Sequence, residues 1–193
     1  MAVDIRKLDD DEILPILVNE YKQDFPEGKS AESLMKIVML NQYDVWGIFD
    51  GEKRVGYFFG FVNNNFPFLF FDYFAIQSKL RNKGYGAKAL DLLETSPCFE
   101  HVDGFVGESL DPSFLKDQEE RRMAIRKLAF YDKHGFIDTG IRVVLRGKHY
   151  VIVRKVKQGK ALAGPEIFFK DLKSFYKQAY GKQSKNIKLS MIK

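Results

Sequence analysis

The residues whose types and spacing best suit chemistry lie in one stretch. An apolar run from Phe68 to Ile76 is followed by Arg81-Asn82-Lys83-Gly84-Tyr85-Gly86-Ala87 and then a helical pattern. Glycines at 84 and 86 let the backbone approach a ligand closely. The first N–H groups of a helix have no intrahelical acceptor, and its dipole favours an anion there. Arg81 and Lys83 add charge of the matching sign. The stretch reads as a phosphate cradle. Two acids stand near it in the pattern. Asp72 is the only acid between Phe66 and Ile76, and a carboxylate in so apolar a strand needs a partner or a role. Glu108 closes the next apolar strand, where desolvation would move a carboxylate toward the range useful to a base. A solvated acid, or one paired with Arg121 or Arg122, would look the same in sequence.

The remaining reactive side chains form no constellation. His101, His134 and His149 lack metal-ligand spacing, so no metal is expected. Cys98 is the only cysteine. It permits no internal disulfide and no cysteine-based zinc site, and no His/Asp arrangement accompanies it.

These residues need elements to position them. Val3 to Leu8 alternates as a first strand. Asp9 to Asp11 can cap a helix reaching about Gln23, with Ile13, Leu14, Leu17 and Tyr21 at helical spacing. Phe25-Pro26-Glu27-Gly28 breaks it. Ser30 can cap a second helix to about Leu40, without a full capping box because residue 33 is Ser. Tyr43 to Phe49 and Val55 to Val62 read as strands joined at Asp50-Gly51. Asn63 to Asn65 is a turn, and Phe68 to Ile76 has the few polar positions of a central strand. Gly84 to about Glu94 is a helix, Val102 to Glu108 a strand, and Asp117 to His134 a long helix stopped by Gly135. Two strands, Phe136 to Leu145 and Tyr150 to Val156, turn at Gly147. The order β-α-α-β-β-β-α-β-α-β-β is a mixed α/β (α+β) arrangement with one crossover, from Phe68 to Glu108.

Read alone, Gly84-Tyr85-Gly86-Ala87-Lys88-Ala89 matches the dinucleotide fingerprint G-x-G-x-x-A, with Glu108 near the place of the ribose-binding acid. That fingerprint's first glycine comes directly off its strand, whereas Gln77 to Lys83 intervene here. The stretch Phe74-Ala75-Ile76, four residues, then Arg81-x-x-Gly84-x-Gly86 instead resembles motif A of the GNAT superfamily of N-acetyltransferases. Phe130-Tyr131-Asp132-Lys133-His134-Gly135-Phe136 resembles that superfamily's motif B. The resemblance spans roughly residues 1 to 155 and includes the order of elements.

The resemblance implies a GNAT-like fold, a mixed central sheet flanked by helices, and acetyl transfer from acetyl-CoA to a primary amine by direct attack in a ternary complex. It assigns Arg81, Asn82, Lys83, Gly84, Tyr85, Gly86 and Ala87 to the pyrophosphate of coenzyme A. It sets the backbone of Phe74, Ala75 and Ile76 along the pantetheine arm, with an N–H near Ile76 facing the thioester oxygen. It makes Tyr131 the candidate acid for the departing thiolate, Glu108 the first candidate base and Asp72 the second. A water chain can replace either base. A non-catalytic coenzyme A or nucleotide sensor is a second reading, and a nicotinamide-dependent oxidoreductase a third.

Composition bounds the rest. The chain has 193 residues, 45% hydrophobic and 15% aromatic, enough for one domain with an appendage. It holds no run of 18 apolar residues and no signal-like start, so a cytoplasmic protein with no membrane contact is expected. Residues 156–193 carry nine lysines against Glu166 and Asp171, a net +7, while the whole chain is +5. The basicity belongs to this tail and is no argument for nucleic acid, which is not expected as a partner. Gly164-Pro165 opens a tail helix with Phe168, Leu172, Phe175 and Ala179 on one face and Lys170, Lys173 and Lys177 on the other. The expected organisation is a domain over 1–155 and a basic helical extension over 156–193. The acceptor is a small-molecule or peptide amine, and the pattern is compatible with a homodimer.

Overall fold

The computed structural model describes residues 2–40, 43–63 and 66–192, and these hold eight strands and six α-helices. They gather into two compact units: Met1–Val62 with Leu69–His101, and Asn63–Phe68 with Val102–Lys193. Every strand register described is antiparallel.

The first unit runs β1 (Val3–Lys7), α1 (Asp10–Asn19), α2 (Tyr21–Asp24), α3 (Ala31–Met39), β2 (Asp44–Asp50), β3 (Lys53–Asn63), most of β4 (Phe66–Ile76) and α4 (Tyr85–Leu92). Its strands lie in the order β1-β2-β3-β4. Asp9 caps α1 and forms a full capping box with Glu12, a reciprocal pair of bonds that satisfies two orphan donors. The first helix is expected to reach Gln23 unbroken. It instead contains Pro15 and breaks at Glu20, so α2 is a separate turn. Ser30 caps α3 through the Ser33 N–H, as its sequence suggests. Asn64 and Asn65 of the expected turn lie outside the described residues.

Side-chain alternation along β3 builds two aromatic clusters, because successive strand residues face opposite ways. Phe58 stacks on Trp46 with centroids 5.0 Å apart and lies 5.3 Å from Phe71. On the opposite parity, Tyr57 and Phe59 join Tyr21, Phe25 and Tyr73. Tyr21, Tyr57, Phe58 and Phe59 are fully buried.

The second unit holds the first residues of β4, then β5 (Gly104–Leu110), α5 (Gln118–Lys133), β6 (Ile137–Leu145), β7 (Lys148–Val156), α6 (Pro165–Tyr180) and β8 (Lys188–Met191), with strand order β5-β7-β6-β8. Helix α6 is the expected tail helix. Phe168, Leu172 and Phe175 are buried and Lys170, Lys173 and Lys177 are exposed. Phe175 and Phe168 pack on Phe66 and Phe68 at 4.9 Å and 5.5 Å. Strand β8 is an addition to the expected elements, and it pairs with β6 from Ile141↔Met191 to Val144↔Lys188. Arg154, buried on β7, lies 4.1 Å over the Phe168 ring and donates to the Ala163 carbonyl. Among the described residues, no helix is long and apolar enough to cross a membrane.

Candidate functional site

The loop between β4 and α4 begins where two carboxylates of the first unit fix its root. Asp24, at the end of α2, accepts from the Tyr57 hydroxyl at 2.8 Å and forms an ion pair with Arg81. Glu20 holds Arg54 in a two-contact pair. Arg81 also donates its Nε to the Ile76 carbonyl at 3.0 Å. The guanidinium that the sequence suggests for a phosphate therefore straps the loop back onto the end of β4.

Past Arg81 the backbone opens. Asn82 has φ +61° and Gly84 φ +85°, two left-handed residues in three. That conformation is costly for most side chains and free for glycine. The Arg81 N–H reaches Ser78 O at 3.3 Å and the Lys88 N–H reaches Gly84 O at 3.0 Å. Between them, from Asn82 to Ala87, no backbone N–H donates to another group among the described residues. A Cβ placed on Gly84 would meet nothing within 4 Å. Residues 81–84 are exposed, and α4 carries no acid in its first turn. Lys83 and Lys88 are exposed and make no ion pair among the described residues. Tyr85 turns away, its hydroxyl 2.8 Å from Asp50, and that bond raises the phenol above its ordinary pKa. Open amides at a helix start with cations beside them are the physical requirement for an oxyanion cradle.

The end of β4 is set by close packing on β3. A Cβ at Gly56 would come within 2.6 Å of the Ala75 carbonyl and 2.7 Å of Ile76 Cδ1. Only glycine allows that approach. The Gln77 N–H continues the ladder to Val55 O at 2.9 Å. Phe74, at this end, lies over Phe58 at 6.1 Å. Asp72, two residues earlier, is almost closed off from solvent. It pairs with Lys29 at 2.5 Å and accepts from the Tyr43 hydroxyl. Sequence reading misses both partners, which lie 43 and 29 residues away with no local signal.

In the second unit, Tyr131 and Glu108 are placed by α5 and β5. The end of α5 is a full Schellman arrangement. The Phe136 N–H bonds Tyr131 O and the Gly135 N–H bonds Asp132 O, each at 3.0 Å, with Gly135 at φ +81°. The accompanying apolar contact is Tyr131 against Phe136, centroids 5.2 Å apart. The motif Tyr131…Gly135-Phe136 is thus a helix stop that also locks the tyrosine ring. The ring is buried, with Lys127 Nζ 5.8 Å from its centroid. A Cβ on Gly107 of β5 would stand 3.8 Å from its hydroxyl, at ordinary van der Waals distance. Glu108, next in β5, accepts from the Tyr176 hydroxyl of α6. Arg122 pairs with Glu119 on its own helix at 2.8 Å. Tyr176 is a contribution of the tail, and the helical spacing of its neighbours is its only sequence signal.

The class that this architecture defines is the fold of the GNAT-family acetyltransferases. No family model matches the chain and no curated protein matches it in sequence. Solved structures match it in fold. A Bacteroides thetaiotaomicron protein described as a GNAT-family acetyltransferase aligns with TM-score 0.64 at 18% identity over 92% of this chain and 98% of that one. A chimera of spermidine N-acetyltransferase SpeG from Vibrio cholerae and hSSAT aligns with TM-score 0.60 at 13% identity, over 81% and 96%. A GNAT-family acetyltransferase from Elizabethkingia anophelis with acetyl-CoA bound gives 0.56 at 14%, over 80% and 97%.

Proposed function

We propose that the protein is an acetyl-CoA-dependent N-acetyltransferase that acetylates a primary amine by direct attack in a ternary complex. The observation that carries this reading is the run of undonated amides from Asn82 to Ala87, opened by two left-handed residues and flanked by Lys83 and Lys88. Its support is the shared fold, including a neighbour with acetyl-CoA bound.

In this reading residues 1–155 form the catalytic domain and 156–193 an extension, in a cytoplasmic protein. The amides of Asn82, Lys83, Gly84, Tyr85, Gly86 and Ala87 hold the pyrophosphate, with donors that cost no side-chain entropy. Arg81 shapes the loop. Phe74, Ala75 and Ile76 offer backbone to the pantetheine arm. The bound coenzyme supplies an activated thioester. Tyr131 gives a proton to the departing thiolate from a ring that cannot swing, which is the preorganisation such a step needs. Glu108 takes the acceptor's proton, with Tyr176 donating to its carboxylate and fixing its orientation. Asp72 already balances the Lys29 ammonium and is better suited to holding charge than to removing a proton.

The test is thermal stability with acetyl-CoA, coenzyme A and NADH, each at about a hundred times its dissociation constant. True binding should add about 2.7 kcal/mol, several degrees for a chain of this size. A rise with both coenzyme A species and none with NADH is expected, and an amine panel then reports turnover. A rise with NADH alone would establish the oxidoreductase reading. Binding without turnover on any amine would establish the sensor.

A further inference from the structure

The pair between Lys29 and Asp72 has more around it than a structural tie needs. The Lys29 ammonium sits 2.5 Å from the Asp72 carboxylate and 3.2 Å from the Tyr43 hydroxyl. It lies 5.5 Å from the Tyr43 ring centroid and 5.2 Å from that of Tyr73. The Tyr73 hydroxyl accepts from the Lys29 backbone N–H at 3.2 Å, and Tyr43 also bonds Asp72. A carboxylate, a hydroxyl and two aromatic faces converging on one cation are the chemistry by which proteins recognise an ammonium group.

The cation itself is supplied by a connecting segment. Lys29 lies between α2 and α3, where Glu27 and Ser30 are exposed. Its side chain keeps 12% exposure and that of Asp72 11%, so the pair is nearly closed off but still reached by solvent. A buried ion pair is a weak source of stability, because desolvation offsets most of its attraction. The carboxylate belongs to β4, the strand whose far end leads into the amide cradle.

We infer that Asp72, Tyr43 and Tyr73 form a binding site for a primary alkylammonium, and that Lys29 occupies it as an internal stand-in that an incoming ligand displaces. Together with the acetyltransferase reading, on which this last step rests, the site receives the acceptor amine in the charged form it carries at neutral pH. A tethered ammonium competes at high effective concentration. Its removal therefore tightens binding of a free one.

The experiment uses the full chain and Lys29→Met, which keeps length and an aromatic-compatible side chain while removing the charge. The probes are n-butylamine, protonated at pH 7, and n-butanol, followed by calorimetry without coenzyme. Butylammonium should bind the variant at least about tenfold more tightly than the parent and raise its melting temperature. Butanol should do neither, and adding Asp72→Asn should abolish the effect. No gain in affinity, or equal binding of butanol, overturns the site. In the unmutated protein, butylammonium should increase acetic anhydride labelling of Lys29, read by peptide mass spectrometry. Unchanged labelling overturns the displacement even if the variant fails to fold. Butylammonium binding with no acetylation of any amine would uphold the site and refute the acetyltransferase reading instead.

Discussion

Gly84→Ala separates the fold from the cradle. The residue sits at φ +85° with nothing within 4 Å of where a Cβ would stand, so the methyl meets no clash and its cost is conformational. Left-handed geometry costs a non-glycine residue roughly 1–2 kcal/mol. The unfolded chain gives back about 0.4–1 kcal/mol by losing glycine's freedom. The net is a loss of about 1 kcal/mol, or ~2–4 °C in melting temperature for this length. Gly159→Ala supplies the control, since Gly159 also has open space around it and φ +79°. Both variants should lose the same stability. Only Gly84→Ala sets a methyl where the undonated amides open, and the loss of one charge-assisted hydrogen bond there is worth ~1.5–3 kcal/mol. Its dissociation constant for coenzyme A, by calorimetry, should rise by roughly tenfold to a hundredfold, with Gly159→Ala unchanged. Equal affinity in the two variants would mean that the loop holds no phosphate.

Tyr131→Phe preserves the buried ring and its contact with Phe136, so the fold and coenzyme A affinity should persist while the acetylation rate falls by about 10²-fold or more. A rate unchanged at every pH would remove Tyr131 from proton transfer. Phe175→Ala deletes a ring that is 2% exposed and packed on Phe66, and urea denaturation should show a loss of about 3–5 kcal/mol. A loss below about 1 kcal/mol would mean that α6 is not part of the core of its unit.

What the sequence makes legible is what local chemistry dictates. The β4 strand, the glycine turn and the start of α4 are written in neighbouring residues, and so is the helix stop at Gly135, whose Schellman bonds close between Tyr131 and Phe136. The capping of α1 and α3 is local in the same way. The use of the charges is not legible. Arg81 has the look of a phosphate ligand because its distance from Gly84 suits one, yet Asp24, 57 residues earlier, takes its guanidinium. Asp72 has the look of a base for want of partners, and Lys29 and Tyr43 supply them from remote segments. Pairing of this kind depends on how strands and helices meet, which periodicity does not encode. Strand β8 escapes notice for another reason. It has four residues, two of them polar, and it exists because β6 offers it a ladder rather than through its own preference.

That small strand decides what the sheet of its unit shows to other molecules. Without β8, the nine residues of β6 would present their outer row of amides and carbonyls as a template for any extended chain. As built, the row is taken up from Ile141 to Val144, and the Ile192 N–H reaches Gly140 O at 2.8 Å. What faces outward is a four-residue margin carrying Lys188, a short edge with a lysine, two features that disfavour further strand pairing. The C-terminal lysine-rich segment thereby acts as a selvedge, finishing the weave on the β6 side.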